Sequence, residues 1–227
     1  MNRATLLCGT FFKLMLTCAV SLAGGAFLWD VPAAAQAHEI EFNLTPNPKF
    51  VRCLAADPDS IHRRPKAEVE VERGRLNDKL TLELKNIRPG LAFDLFTVQR
   101  SPFLADGTSN PLFTNFGLAW YQSDVQVVHT DEEGEAKVVI KTILLDQIFG
   151  FDPDVQLSPT NTFHVGFWFN DPNDAAPCGF DVTKPTPFNG EHRAGPLAMI
   201  SLPDPGTGLG PLCTNPDTST DPITCHP

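Results

Sequence analysis

Hydrophobic and polar residues alternate along most of this chain in short runs, each ended by proline, glycine, asparagine or aspartate. Ile40, Phe42 and Leu44 alternate with Glu39, Glu41 and Asn43. That period of two places successive side chains on opposite faces of a half-buried strand. Val69 and Val71 alternate with Glu68, Glu70 and Glu72. Gly74 to Asp78 then turns the chain, and Leu80, Leu82 and Leu84 alternate with Thr81, Glu83 and Lys85. The pair predicts an antiparallel hairpin with one face in water. Pro89-Gly90 forms the next turn, since proline presets φ and glycine accepts a positive one. Phe93 to Val98 is apolar on nearly both faces and predicts a central strand.

Further strands are expected over Leu118 to Ser123 and Val125 to Val128. A hairpin turn at Asp131-Glu132-Glu133-Gly134 leads into Ala136, Val138 and Ile140. In the last clear run, Phe163, Val165, Phe167 and Phe169 share one face, and His164, Gly166 and Trp168 share the other. Only Ile143 to Phe149 suggests a helix, a buried connector of one or two turns. Strands about ten residues apart without intervening helical periods predict an all-β, antiparallel architecture, and an immunoglobulin-like Greek-key sandwich is the expected form. Two connections, Ser101 to Gly117 and Asn170 to Pro196, are long enough to need contacts of their own or a binding role. The segment 203–227 contains no lysine or arginine and reads as a Pro/Asp/Thr-rich tail.

The N-terminus departs from this pattern. Arg3 and Lys13 precede an uncharged apolar stretch, Leu14 to Trp29, followed by Ala33-Ala34-Ala35-Gln36-Ala37. These are the parts of a cleavable secretory signal spanning 1–37, with small residues at the positions a signal peptidase reads. The apolar run is shorter than the ~20 residues of a spanning helix, and no second such run follows. The expected mature protein is a sandwich domain over 38–202 with the tail after it, secreted or periplasmic. Removing two basic and one acidic residue takes the formal charge from −10 to −11. That acidity disfavours nucleic acid and anionic membrane surfaces, both of which recruit cationic side chains.

Export changes what the cysteines mean. Cys8 and Cys18 leave with the signal, and Cys53, Cys178, Cys213 and Cys225 remain in an oxidising compartment. Two disulfides are expected, with three connectivities open. Cys213 with Cys225 is favoured because it closes a short loop in the tail, which leaves Cys53 with Cys178. The absence of any CxxC pair and the irregular spacings argue against zinc.

Cleavage after Ala37 would also make His38 the mature N-terminus. Its α-amine and imidazole, joined by a second histidine, form a nitrogen set suited to Cu(II); His164 and His192 are the candidate partners. The loop carboxylates and amides at Asp152-Pro153-Asp154, Asn170-Asp171 and Asn173-Asp174 could serve calcium, but they match no twelve-residue calcium loop. Trp120, Tyr121 and Trp168 raise the prospect of a carbohydrate platform. With 17 Phe against three Trp and one Tyr, however, these aromatics read chiefly as packing. No nucleophile elbow, HExxH or phosphate loop is present. Asn43-Leu44-Thr45 fits a glycosylation acceptor that matters only in a glycosylating host. The leading expectation is a non-enzymatic binding or structural module whose ligand is a protein, glycan or metal. The alternative is a copper carrier or oxidase using His38.

Overall fold

The computed structural model describes residues 39–74, 78–121, 127–143, 162–184, 194–213, 216–217 and 224–225. The chain divides into Met1–Ala35 and Gln36–Pro227, and all the described residues belong to the second unit. Strands β1 (Glu39–Pro46), β2 (Lys66–Glu72) and β3 (Asp78–Lys85) form an antiparallel meander. β4 (Ala92–Val98), β5 (Leu118–Tyr121), β6 (Val127–His129), β7 (Ala136–Ile143), β8 (Thr162–Phe169) and β9 (Leu197–Ser201) follow. Short pairs β10 (Leu212–Cys213), β11 (Pro216–Asp217) and β12 (Thr224–Cys225) complete the set.

Alternation explains which face each strand buries. Val69 lies opposite Leu82 and Val71 opposite Leu80, and all four are essentially inaccessible to water. Phe93 and Leu95 of β4 and Phe163, Val165, Phe167 and Phe169 of β8 join them in one hydrophobic core. Phe93 sits against Phe167 and Phe169 at centroid separations of 4.7 and 5.7 Å. The expected hairpin, the central strand and the two faces of β8 are therefore all found.

The main sheet runs β5-β4-β8-β9-β1-β2-β3-β7, with β6 sharing the edge of β4 with β5, and β10 beside β8. It is one curled, largely antiparallel sheet, a half-barrel whose halves face each other across the core. β1 is the joint. It pairs with β2 over residues 39–44 and with β9 over residues 44–46. The turn after Asp131 forms as expected, with Asp131 N donating to Glu135 O at 2.9 Å. The strands it connects then diverge, β6 to β4 and β7 to β3. This turn thus links the two ends of the sheet.

Three expectations change. β9, which the reading of Phe163–Phe169 as the last clear strand left out, lies between β8 and β1. The segment read as a tail contributes β10, which pairs Leu212 with Phe163 and buries Leu212 completely. The described α-helix is a single turn, α1 (Val51–Leu54). Of the predicted helix, Ile143 ends β7 and the remainder lies outside the described residues. No helix among the described residues is long and apolar enough to cross a membrane.

Cys53 on α1 is bonded to Cys178, with a Cα–Cα distance of 6.1 Å. The bond anchors two short 3-10 turns, Pro172–Asp174 and Ala176–Cys178, that give the long connection after β8 its order. Arg88 supports the same segment, donating from Nη2 to Asp174 Oδ1 at 2.7 Å. Cys213 is also disulfide-bonded.

Candidate functional site

The outer face of β4, β8 and β9 carries a second apolar layer, separate from the main core. Phe96, Val98, Trp168, Leu197 and Ile200 form it. Gly166 is what lets the layer close. A Cβ there would lie 2.9 Å from the Met199 carbonyl oxygen and 3.0 Å from the Phe96 ring. With no side chain in the way, Phe96 and Trp168 meet at 4.9 Å between centroids.

The long connection 101–117 covers this layer. Its base is closed by Gln99 N to Gly117 O at 2.8 Å and Arg100 N to Phe116 O at 2.9 Å. Asp106, Asn110 and Asn115 each accept a backbone N–H two residues onward, the local turn for which short polar side chains are suited. Phe116 then packs edge-on against Trp168 at 5.2 Å, and Phe113 against Phe116 at 4.7 Å. The loop is thus ordered by its own contacts. Trp168 is only 5% exposed, so it serves as packing beneath the loop rather than as a sugar platform. The side chains of Trp120 and Tyr121 lie outside the described ones.

Between this loop and the start of β8 lies a cleft of about 320 Å³. Phe103, Leu104, Leu112 and Phe113 supply apolar lining, Gln99 and His164 buried polar groups, and Arg100 an exposed one. Gln99 is 8% exposed, and neither its Oε1 nor its Nε2 has a hydrogen-bond partner. A buried amide without partners is costly, by about 1–3 kcal/mol for each unmet group. Among the described residues no acidic side chain lines the cleft.

His164 is 1% exposed. Its Nδ1 lies 2.9 Å from the Ser201 carbonyl oxygen, which can only accept, so Nδ1 carries the hydrogen and the lone pair falls on Nε2. Burial pushes the imidazole down to about 4, against the opposing effect of the Ser201 contact. At neutral pH it is therefore an uncharged ring with an acceptor nitrogen.

Of the three candidate copper ligands, only His164 is placed; His38 and His192 lie outside the described residues. Glu39, which follows His38, pairs with Glu72. The registers of β1 with β9 and of β9 with β8 set His164 level with Asn43. Glu39 is thus four residues along and two strands across from His164, on the order of 15 Å at ordinary strand spacings.

The calcium candidates have other employment where they are described. Asp171 accepts from Asn173 N, Asp174 pairs with Arg88, and Asn170 donates to Asp94. Asp152 and Asp154 lie outside the described residues. Among the described residues no group of three or more His, Cys, Asp or Glu side chains could hold a metal ion.

A larger groove of about 510 Å³ beside α1 contains Arg52, Arg63 and Arg64, but also Asp57, Asp59 and Asp106. Its charges offset one another, and the Arg52–Asp59 pair at 3.4 Å is almost wholly exposed. Such a surface pair contributes little. The smaller cleft is the better candidate because aromatic and aliphatic side chains dominate its lining and its charges do not cancel in surface pairs. Sequence reasoning singled out His164 but missed Gln99, which reads simply as the polar residue after an apolar strand. No protein-family model matches the chain, and no curated protein or solved structure matches it significantly.

Proposed function

We propose that this is an extracytoplasmic, non-enzymatic β-sheet module that binds a small ligand in the cleft beneath the 101–117 loop. The observation that carries the reading is the cleft itself, about 320 Å³, lined by Phe103, Leu104, Leu112 and Phe113 with the buried polar residues Gln99 and His164 among them. A concave, mainly apolar site with a few polar residues in its lining is the usual form of a small-ligand pocket. The volume suits a ligand of about one ring with a short substituent. The signal-like segment 1–37 and the acidic surface support an exported, soluble carrier or receptor domain. The immunoglobulin-like Greek-key description enters as the version of this fold in which β1 is shared between two facing layers.

The test is a thermal-shift and NMR screen of the mature, oxidised protein against small neutral and anionic compounds, with Leu104→Trp as a cleft-blocking variant. Leu104 lines the cleft and is 41% exposed, so the larger ring can be accommodated without rebuilding the core. Ligands that shift cleft resonances in the native protein and not in Leu104→Trp support the proposal. Hits unaffected by the blocking variant place binding elsewhere and refute it. Intact mass of the exported protein tests the cut after Ala37. The copper reading, with His38 as mature N-terminus and His164 or His192 as partner, is tested by Cu(II) titration of the exported protein.

A further inference from the structure

We infer that the ligand of the cleft is a small apolar acid, its body lying on Leu104, Leu112 and Phe113 and its carboxylate meeting the exposed Arg100 guanidinium; this rests on the reading of the cleft as the binding site. Only the accessible part of the lining can touch a ligand. Among the described residues five large hydrophobics are exposed, and two of them, Leu104 at 41% and Leu112 at 83%, line this one cleft. Phe113 beside them is half-buried. Apolar surface left in water there is covered when a ligand body lies on it. Arg100 alone among the described lining residues carries a full charge at neutral pH, and it too is exposed. Its backbone is fixed where the loop closes, by Arg100 N donating to Phe116 O at 2.9 Å.

Arg52, Arg73 and Arg88 lie against Asp59, Asp78 and Asp174, whereas Arg100 has no ion pair among the described residues. The carboxylates in the loops that supply the lining are engaged in their own turns. Asp106 accepts from Thr108 N and Oγ1, and Asp204 from Gly206 N, Thr207 N and Thr207 Oγ1. Arg63 and Arg64 are also unpaired, but the groove they line holds Asp57, Asp59 and Asp106 as well. In the smaller cleft a cationic ligand meets Arg100 and no described acid, and a dianion carries a second charge with no described cation to match it. A single carboxylate fits, because it accepts two parallel N–H donors from one guanidinium. Exposure keeps the gain modest. The acidity of the chain as a whole does not cancel it, since distant charges are damped over about 8 Å at physiological salt while a contact pair acts locally.

Phenylacetate, phenylacetamide and 2-phenylethylammonium test this, because they share an apolar body and differ in charge. Each is titrated at neutral pH into the mature, oxidised protein, with the methyl groups of Leu104 and Leu112 as NMR readouts. The expected result is that phenylacetate binds at least about threefold more tightly than phenylacetamide, and the ammonium most weakly. Arg100→Gln, which keeps much of the stem and removes the charge, should bring phenylacetate level with phenylacetamide and leave the affinity for phenylacetamide unchanged. Arg100→Lys should keep most of the preference for the anion. If phenylacetamide binds as tightly as phenylacetate, or the preference survives Arg100→Gln, the acid assignment is overturned while the cleft remains a binding site. If none of the three probes perturbs Leu104 or Leu112, both the assignment and the cleft reading are overturned.

Discussion

Replacing His164 with asparagine should remove most of one specific pH dependence of folding. Asparagine can still donate an amide N–H to the Ser201 carbonyl, but it does not titrate. In the native protein burial holds the imidazole at about 4, whereas an unfolded histidine titrates near 6.5. Between these values the unfolded chain binds the extra proton, so stability is full above about pH 6.5 and is lost as the pH falls toward 4. A shift of two and a half units corresponds to about 3.4 kcal/mol in full, and about 2 kcal/mol of it is lost between about pH 7.5 and about pH 5. Urea unfolding of both proteins at those two pH values measures it. The stability lost on acidification should be about 2 kcal/mol greater for the native protein than for His164→Asn, whatever offset the substitution causes at neutral pH. Equal losses in the two proteins would show that His164 is not buried as a neutral ring, and would refute the reasoning.

Other features lend themselves to equally direct tests. Cys53 and Cys178 are 125 residues apart, for which the chain-entropy relation gives about 5 kcal/mol. The double serine variant should lose several kcal/mol in urea unfolding, and a loss below about 1 kcal/mol would contradict an anchoring role. Non-reducing peptide mapping should recover Cys53–Cys178 together with a bridge from Cys213 to Cys225. Gly134 and Gly90 both have a φ of 77°, but only at Gly134 would a Cβ strike backbone, 1.8 Å from Ile87 O. Gly90→Ala should therefore cost about 1–2 kcal/mol and Gly134→Ala clearly more, by thermal unfolding. Glu70 has a carboxyl raised above its usual range, chiefly by a hydrogen bond shared with Glu39. Glu70→Gln should raise the melting temperature at neutral pH and low salt, and the gain should shrink as salt is added.

The strands were legible where one face is wet and the other dry. Glu68, Glu70 and Glu72 set against Val69 and Val71 reveal β2 at once, and the odd and even residues of β8 sort correctly into two layers. β9 was not legible. Leu197 to Ser201 is buried on both faces, so nothing alternates, and the proline and glycine before it resemble loop. α1 was missed because one turn is too short to display a helical period. The candidate site was half legible. A histidine draws attention on chemical grounds, whereas Gln99 matters only because the loop covers it, and a local pattern holds no record of that burial. The partners of β6 and β7 were likewise beyond local reading, since an apparently ordinary hairpin turn here sends its strands to opposite ends of one sheet.

The joint at β1 has a consequence for how the protein is made. Its two neighbours are β2, available almost immediately, and β9, separated from it by about 150 residues, as the Asn47 to Leu197 hydrogen bond illustrates. While the chain is being synthesised, the β1-β2-β3 meander is the first part of the sheet that can assemble. That meander sets Glu39 against Glu72, Glu41 against Glu70 and Glu68 against Glu83, a crowding of like charges that weakens it when alone. The dry face of the meander has no cover until β4, β8 and β9 have arrived. Cooperative folding therefore waits for nearly the whole chain, which keeps a partly made polypeptide loose until its last strands are available.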